Sequence, residues 1–598
     1  MVNWRSVWIV TVLMGCAGDT DKAEKSSSSA DSGLEACEPR TVTALTADFF
    51  TDISESSGIQ KGNYDPEPPD GTSINDHSRL AFADINTDGL DDIVMHSLFP
   101  NAANGVPFEH LVFLNNGDGT FTDYADASGL REVQAAYFSF ADVDNDGDQD
   151  VFAGLDLPGY DSYRSQILLN DGAGHFSPVS SSGVEASNSV TAAAVFGDFD
   201  QDGHVDLFVG NGSTSYAAAD VFYTGNADGT FTAQSALADA PARATNGAVA
   251  CDWDGDGDLD ILTASYGVSV DNGHDSLWRN DGGTFTDVAL TTGYAAQLTG
   301  NYALSESGYG TEDEPDVDIS DAVGANSFGL DCADVDGDGR ADVLKTAISH
   351  PDSWDYSRLW SDPSVLLIGS EGGSFTNEWL DRDLPFNEGD IDGALIDFDN
   401  DGRLDISLSR EDKYEDRYPD EEQHGWFGLM HQLPDGDFES VGLSSGINDL
   451  SSEDEFKRMK RAQNHAWADI DHDGDLDLLV GGRDKGGGRP NFLFRNDLGQ
   501  DNDWLVIGLV GDGESVHSDA FGTKVTLAWD GGSITREKKS SRGTYNSEDT
   551  RWMHFGLAEA DCRYTLTIQW PDGLQVELSA DALQERAFQT IRYPDQLE

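Results

Sequence analysis

The chain has 598 residues, with 35 Lys and Arg against 111 Asp and Glu, which gives a formal net charge of −76 at pH 7. This acidity excludes a nucleic-acid-binding surface, because such a surface needs clustered cations to neutralise phosphates. Aromatic residues make up 10% of the chain and short apolar runs recur along it, so a folded protein is expected rather than a disordered acidic chain. The length suffices for two or more domains.

The N-terminus carries the pattern of an export signal. Residues 7–15 form an apolar run preceded by Arg5. The run is too short to cross a bilayer and is typical of a signal-peptide core. Residues 13–16, Leu-Met-Gly-Cys, resemble a bacterial lipobox, which predicts lipidation of Cys16. The alternative is an ordinary signal peptide with an unrelated cysteine.

These features predict the localisation and the first two segments. Residues 1–16 are expected to be a lipoprotein signal peptide. Residues 17–44 are polar and low in complexity, which predicts a flexible tether. We therefore expect a secreted protein held on a bacterial membrane, at the outer membrane or cell surface, through its lipid anchor only.

A nine-residue pattern, Asp-x-Asp/Asn-x-Asp-Gly-x-x-Asp, occurs seven times along the chain. We call these segments the acidic loops and number them one to seven in chain order. The candidate metal ligands at their positions one, three, five and nine are Asp84, Asn86, Asp88 and Asp92; Asp142, Asp144, Asp146 and Asp150; Asp198, Asp200, Asp202 and Asp206; Asp252, Asp254, Asp256 and Asp260; Asp334, Asp336, Asp338 and Asp342; Asp397, Asp399, Asp401 and Asp405; and Asp469, Asp471, Asp473 and Asp477.

The spacing in the acidic loops suits calcium. Calcium takes six to eight oxygen ligands, and alternate residues of a tight loop can aim their side chains inward. The glycine at position six permits the positive φ that reverses the chain, and position seven can add its carbonyl. An EF-hand is not expected, since position twelve lacks its bidentate Glu and the flanks are strand-like. We expect about seven structural Ca²⁺ ions.

Each acidic loop lies between two short apolar runs and is followed by two more, the last beginning with Phe in most copies. Four strands per repeat predict an all-β fold with the blades of a β-propeller. The seventh repeat lacks its last strand, and a matching one lies at residues 49–53. We therefore expect a seven-bladed propeller over residues 45–497, closed by that N-terminal strand, and a small C-terminal β domain over residues 498–598.

Two segments also resemble known families. The repeats resemble the FG-GAP (VCBS-type) repeats of integrin-α-like seven-bladed propellers. The last 100 residues resemble the ASPIC/UnbV domain, and together the two segments resemble bacterial proteins of the cartilage-acidic-protein type. The C-terminal resemblance rests on Asn502-Asp-Trp-Leu505, Gly522, His554-Phe-Gly-Leu557 and Trp570-Pro-Asp-Gly573.

The long insertions between strands predict where a ligand binds. By blade topology they leave from the face opposite the acidic loops, and long loops in compact folds are often functional. We expect this face to bind an extracellular protein or glycan, as an adhesion module rather than an enzyme. The candidate contact residues are aromatic or arginine, which are frequent interface anchors: Trp354, Tyr356, Arg358, Trp360, Tyr414, Tyr418, Arg458 and Arg461.

The alternative function is a polysaccharide lyase or hydrolase built on the propeller. It would need a base or a carboxylate pair near the axis, where His465, Arg79 and Asn326 are candidates. For His554 a structural role is favoured. Of the four cysteines beyond the signal peptide, Cys251 and Cys332 could form a bridge, leaving Cys37 for Cys562, but three pairings are possible.

Overall fold

The computed structural model describes residues 40, 42–59, 79–96, 110–155, 164–186, 190–213, 216–235, 237, 242–266, 274–295, 326–348, 364–385, 389–410, 427–448, 462–481, 491–498, 502–543, 546–558, 560 and 563–597. No helix among these residues is long and apolar enough to cross a membrane.

The described residues up to 498 form seven antiparallel β-sheets that share one strand plan. The first strand in the described residues is β1 (Phe50–Asp52), and the first three sheets follow in sequence order. Their strands are β2 (Arg79–Ala83), β3 (Asp92–His96), β4 (His110–Asn115) and β5 (Phe121–Asp123); β6 (Tyr137–Ala141), β7 (Asp150–Gly154), β8 (Gln166–Leu169) and β9 (Ser177–Pro178); and β10 (Thr191–Gly197), β11 (Asp206–Ser213), β12 (Tyr216–Ala217), β13 (Val221–Gly225) and β14 (Phe231–Gln234).

The next three sheets repeat this plan. Their strands are β15 (Thr245–Cys251), β16 (Asp260–Ser265), β17 (Leu277–Asn280) and β18 (Phe285–Asp287); β19 (Ser327–Ala333), β20 (Asp342–Ala347), β21 (Val365–Gly369) and β22 (Phe375–Asn377); and β23 (Asp390–Ile396), β24 (Asp405–Arg410), β25 (Phe427–Gln432) and β26 (Phe438–Ser440). Two one-turn helices, α1 (Ala125–Ser128) and α2 (Ala289–Thr292), follow the last strands of the first and fourth sheets.

The seventh sheet is built from both ends of this region. It contains β27 (His465–Ala468), β28 (Asp477–Val480) and β29 (Phe492–Asn496), and its fourth strand is β1. Phe50 lies opposite Asn496 in an antiparallel pair. The expected pairing of the N-terminal strand with the last repeat is therefore confirmed.

The hydrophobic core lies between neighbouring sheets, since the alternating apolar side chains of each strand face the sheets on either side. Phe82 and Ile93 of the first sheet share a buried cluster with Ala466 and Leu479 of the seventh. The first strands of the sheets also follow one another in contact: β2 with β6, β6 with β10, β10 with β15, β15 with β19, β19 with β23, and β27 with β2. His465 N donates to Asp392 Oδ2 at 3.3 Å, which joins β27 to β23.

A disulfide links two neighbouring first strands. Cys251 ends β15 and Cys332 lies near the end of β19, and their Cα atoms are 6.6 Å apart. The possible bridge between them is therefore present in the structure. Cys37 and Cys562 lie outside the described residues, so their pairing stays a prediction.

The C-terminal part forms two further four-stranded sheets that enclose one core. The order in the first is β33-β30-β36-β37, where β30 and β36 are parallel, and the order in the second is β32-β31-β34-β35. Val525, Leu566 and Trp570 are buried between them, as the alternating apolar runs predict. The strands are β30 (Trp504–Val510), β31 (Lys524–Trp529), β32 (Gly532–Glu537), β33 (Met553–Gly556), β34 (Thr565–Gln569), β35 (Gln575–Ser579), β36 (Phe588–Arg592) and β37 (Gln596–Leu597).

Candidate metal centres

Each acidic loop is the turn between the first and second strands of its sheet. The glycine at position six has φ between 82° and 100° in all seven loops, a conformation that costs glycine little and other residues more. Position four is also left-handed in every loop, and five of its seven residues are not glycine: Thr87, Asn145, Gln201, Asn400 and His472. The loops therefore share one backbone conformation, of which the sequence predicted only the glycine.

The aspartate at position nine is fixed by two backbone amides. In the third loop Asp206 accepts from Gly225 N at 2.9 Å and from Phe199 N at 3.1 Å. The same pair of bonds recurs in the other six loops, at 2.7–2.8 Å from the third strand and 2.8–3.2 Å from position two. Hydrogen bonds to a charged acceptor are stronger than neutral ones, so this aspartate ties the loop to its own sheet.

The other ligand positions converge. The position-one aspartate accepts from the position-six glycine N at 2.8–3.1 Å in every loop. Carboxylate oxygens of Asp198, Asp200 and Asp206 all lie within 4.8 Å of one another, and comparable groups occur in the second, fourth and fifth loops. One buried oxygen each of Asp144, Asp334 and Asp471 has no hydrogen-bond partner. Unpartnered oxygens in a carboxylate cluster fit a hard cation, so these loops can hold a divalent ion.

Burial and mutual repulsion raise the pKa values of these carboxyls. Burial, together with the negative charges of Asp200 and Asp198, raises the pKa of Asp206 to about 8. Burial likewise raises the pKa of Asp150 to about 9 and that of Asp92 to about 8. Several carboxylates this close repel one another when charged, and a bound cation would remove that repulsion.

The sixth loop has cations of its own. His431, on β25, places Nε2 3.2 Å from Asp399 Oδ2 and 3.4 Å from Asp401 Oδ2. Arg403 pairs with Asp401. Burial alone would lower the pKa of His431, but the close carboxylates of Asp399 and Asp401 raise it to about 11. A histidine beside this loop was not predicted, because it lies 30 residues beyond the loop's third aspartate in the sequence.

A repeated amide side chain joins neighbouring sheets. Asn115 Nδ2 donates to Ile470 O at 2.9 Å, which links the first sheet to the seventh, and Asn170 Nδ2 donates to Ile85 O at 2.8 Å. Asn280, Gln432 and Asn496 make the corresponding bonds to the preceding sheet. The recurrence of this amide residue is visible in the sequence, but its partner in the next repeat is not.

The C-terminal domain contacts the acidic loops directly. Ser518 Oγ donates to Asp142 Oδ2 at 2.5 Å, and Lys524 Nζ lies 2.7 Å from Asp252 Oδ2. Gly556 N donates to Asp397 Oδ2 at 3.1 Å in the sixth loop. His554 Nε2 lies 2.7 Å from Gly474 O of the seventh loop, in keeping with the structural role favoured for it. This domain therefore covers the side of the sheets that carries the loops.

One segment of the C-terminal domain, described over residues 538–543 and 546–551, contacts all seven first strands. We call it the inserted segment. Towards β2 and β6, Phe82 N donates to Glu548 O at 2.9 Å and Ser139 Oγ to Glu548 Oε1 at 2.8 Å. Towards β10, Ala194 N donates to Asn546 Oδ1 at 2.8 Å.

The remaining four first strands meet the same segment. A Cβ on Gly247 of β15 would lie 2.8 Å from Gly543 O, and Gly543 N donates to Leu330 O of β19 at 2.8 Å. Arg542 donates to Gly393 O of β23 at 3.1 Å and to His465 O of β27 at 2.9 Å. The inserted segment therefore lies where the seven first strands come together, a placement that the sequence did not predict.

The axial candidates for catalysis are engaged in packing. His465 is fully buried, and its ring nitrogens each lie 2.8 Å from a serine hydroxyl, Ser407 and Ser409. Arg79, 2% exposed, donates to Ala136 O at 3.2 Å, and Asn326 forms an isolated bridge with Tyr266. All eight ligand-face candidates lie outside the described residues and stay predictions: Trp354, Tyr356, Arg358, Trp360, Tyr414, Tyr418, Arg458 and Arg461.

Family models match both parts of the chain. The FG-GAP-like repeat matches residues 110–153, 155–209 and 198–263. The ASPIC and UnbV model matches residues 513–595. The chain contains FG-GAP-like repeats and an ASPIC/UnbV domain. The resemblance inferred from the sequence is confirmed, and no curated protein matches significantly.

Solved structures similar to this chain include lyases, a matrix protein and a lectin. The exotype rhamnogalacturonan lyase YesX is 13% identical, with a TM-score of 0.34, and the match covers 89% of this chain and 77% of that one. The V. cholerae biofilm matrix protein Bap1 is 12% identical, with a TM-score of 0.29 and coverages of 91% and 64%. The six-bladed fungal lectin of Aleuria aurantia is 11% identical, with a TM-score of 0.27 and coverages of 61% and 94%. All three TM-scores are below 0.5.

Proposed function

We propose that this protein is an exported, lipid-anchored, calcium-loaded seven-bladed β-propeller that binds an extracellular protein or glycan as an adhesion module. The ligand binds on the face opposite the acidic loops, and the calcium ions are structural. Export and lipidation at Cys16 rest on the N-terminal sequence pattern.

The blade count is supported by the repeated sheet plan. Seven sheets of one strand order occur in the described residues, and a buried apolar cluster joins the last to the first. β1 completes the seventh sheet. A ring of sheets closed by one N-terminal strand has no exposed edge at its joint, which is how propellers avoid unpaired strand edges.

Calcium is supported by the ligand chemistry of the acidic loops. Their positions bring together carboxylate oxygens, several without a hydrogen-bond partner. Multi-oxygen protein sites favour calcium over magnesium, which keeps several of its waters. Asp198, Asp200, Asp202 and Asp206 exemplify the residues that would hold the ion, which would supply positive charge and cross-link the loop.

The observation that supports ligand binding on the face opposite the acidic loops is the position of the C-terminal domain. It contacts the acidic loops, and its inserted segment fills the meeting point of the first strands. The connections β20–β21 and β24–β25 leave from the opposite strand ends, because Asp342 and Asp405 adjoin their acidic loops whereas Ala347 and Arg410 end those strands. The opposite face is thus the side of the propeller that these contacts leave for a ligand.

The test is to shorten those two connections. Residues 349–363 and 411–425 are replaced by short Gly-Ser linkers, and the full chain and the variant are applied to glycan and surface-protein arrays in calcium. We expect ligands of the full chain to be lost by the variant. A matched control replaces the exposed turn residues Asp118 and Asp228, which lie in β4–β5 and β13–β14 turns on the side of the acidic loops, by Asn. Unchanged binding by a folded loop variant would contradict the proposed face.

Nothing described favours the lyase or hydrolase alternative, and we propose that the protein is not an enzyme. His465 is held between two serines and lies against the inserted segment, which leaves no room for a polysaccharide at that point. Incubating the full chain with anionic and neutral polysaccharides tests this. New reducing ends or unsaturated products that vanish in a His465→Gln variant would refute it.

A further inference from the structure

Beside the sixth acidic loop, the third strand of the sheet carries a histidine at a position where the other six sheets have other residues. In each of the seven sheets that carry an acidic loop, a residue at the end of the third strand or just after it donates its backbone N–H to the position-nine aspartate. The residue just before it is Leu114, Leu169, Thr224, Arg279, Ile368, His431 or Arg495, in sheet order. Only the sixth of these seven positions carries an imidazole.

His431 is directed at the acidic cluster of its loop. Its Nε2 lies 3.2 Å from Asp399 Oδ2 and 3.4 Å from Asp401 Oδ2. Asp399 is 1% exposed, Asp401 is fully buried and His431 is 8% exposed. Neither ring nitrogen of His431 has a hydrogen bond of acceptable geometry. A buried imidazole that faces two carboxylates without a hydrogen bond to either is placed as a metal ligand would be.

The spacing of these three atoms suits a small ion. Tetrahedral zinc with ligands at about 2.0–2.1 Å places neighbouring ligand atoms about 3.3–3.4 Å apart, which matches the two measured separations. Asp397 Oδ1 belongs to the same loop and is also buried without a hydrogen-bond partner, so it offers a fourth ligand atom, the third oxygen of the set.

The surroundings of the imidazole resemble those of a metal ligand. Nδ1 of His431 faces Glu439 Oε1 at 3.5 Å, across the β25–β26 pair. Ligating histidines generally present their second nitrogen to a carboxylate or carbonyl, which fixes the tautomer and orients the ring. Phe398 packs edge-on against the ring, with centroids 6.0 Å apart, and Arg403 pairs with Asp401.

We propose that the sixth loop is a site for a borderline transition ion such as Zn²⁺, ligated by Asp399, Asp401 and His431 Nε2, and not a calcium site. Calcium prefers oxygen ligands, whereas imidazole nitrogen suits zinc and its neighbours in the first row. The inference rests on the proposal that the acidic loops hold cations, and it assigns one of them a different ion. Because Asn502 Nδ2 donates to Asp399 O at 2.6 Å, the ion would lie beneath the C-terminal domain.

The experiment measures both metals in the same samples. The full chain is stripped with chelator, dialysed against millimolar calcium with micromolar zinc, and analysed by elemental mass spectrometry. We expect one zinc per chain. His431→Leu, which installs the residue of the first and second sheets, should lose that zinc and keep its calcium. If the wild type holds no zinc, or if H431L keeps it, the inference is wrong.

Two further variants keep the test decisive if H431L does not fold. Glu439→Gln changes a side chain that is 54% exposed and should weaken zinc binding at least tenfold, as loss of such partners does elsewhere. Asp435→Asn, in the exposed turn of the same hairpin, should leave it unchanged. Equal zinc affinity in wild type and E439Q would contradict the site, and an additional calcium in H431L would show that the imidazolium itself occupies the cation position. Calcium without zinc refutes only this inference, whereas zinc without calcium refutes only the calcium proposal.

Discussion

Replacing the position-nine aspartate of the third acidic loop by asparagine should destabilise the protein far more than replacing the position-three aspartate. Asp206 is 1% exposed and accepts from two backbone amides. Asparagine can accept one of these bonds but presents an NH₂ group to the other donor. A buried N–H left without a partner costs about 1–3 kcal/mol. Losing one calcium adds about 1.4–2.7 kcal/mol at 10 mM Ca²⁺, if the dissociation constant is about 10⁻³–10⁻⁴ M.

Asp206→Asn should therefore lower the free energy of unfolding by about 2–6 kcal/mol in calcium. Asp200→Asn is the matched control, since asparagine already occupies position three of the first loop as Asn86 and keeps an oxygen ligand. This variant should lower the free energy of unfolding by less than about 1 kcal/mol. Urea denaturation of the full chain, followed by tryptophan fluorescence in calcium and in EDTA, measures both. Equal costs for the two variants would refute the role assigned to position nine. A cost of D206N that is the same in calcium and in EDTA would refute the involvement of Asp206 in binding the ion.

The remaining predictions concern calcium, pH and the contacts between domains. EDTA should lower the melting temperature and calcium should restore it; an indifferent melting curve contradicts structural calcium. In EDTA, stability should fall as pH rises from 5 to 8, because the folded pKa values of Asp150 (about 9) and Asp92 (about 8) exceed the ordinary aspartate value of 3.8. The folded state then holds protons that the unfolded chain has released, and a rise in stability over that range would contradict the shifts. Arg542→Ala should lower the free energy of unfolding by about 3–5 kcal/mol, because it leaves the buried Asp392 without this charged partner. The exposed pair of Arg586 with Asp503 should contribute under about 1 kcal/mol. Similar shifts of the denaturation midpoint on breaking the two pairs would contradict this prediction. Replacing Cys251 and Cys332 by Ser removes a link across 81 residues and should lower the free energy of unfolding by about 4.5 kcal/mol. Reducing the disulfide of the wild-type protein should reproduce this loss.

The sequence predicted the repeat and its periodicity because both are local. The acidic loops, their glycine and the strands on either side follow from spacing within a dozen residues, and the closing strand follows from counting strands. The partner of each position-nine aspartate lies about 19 to 27 residues away on another strand, and only the folded sheet brings them together. The contact of Glu548 with Ser139 spans 409 residues, and no local sequence pattern predicts it.

The pairing of β1 with β29 also constrains how the chain can fold. Thr51 bonds to Asp497 across 446 residues, so the closing contact is among the most non-local in the molecule, and such contacts are slow to form. Until β1 pairs with it, β29 presents an unpaired strand edge, which is a template for association with other chains. The inserted segment lies still later in the chain. Neither the pairing of β1 with β29 nor the contacts of the inserted segment with the first strands can therefore form while the first six sheets are being synthesised. A chain truncated at either end should consequently tend towards aggregation rather than yield a smaller stable propeller.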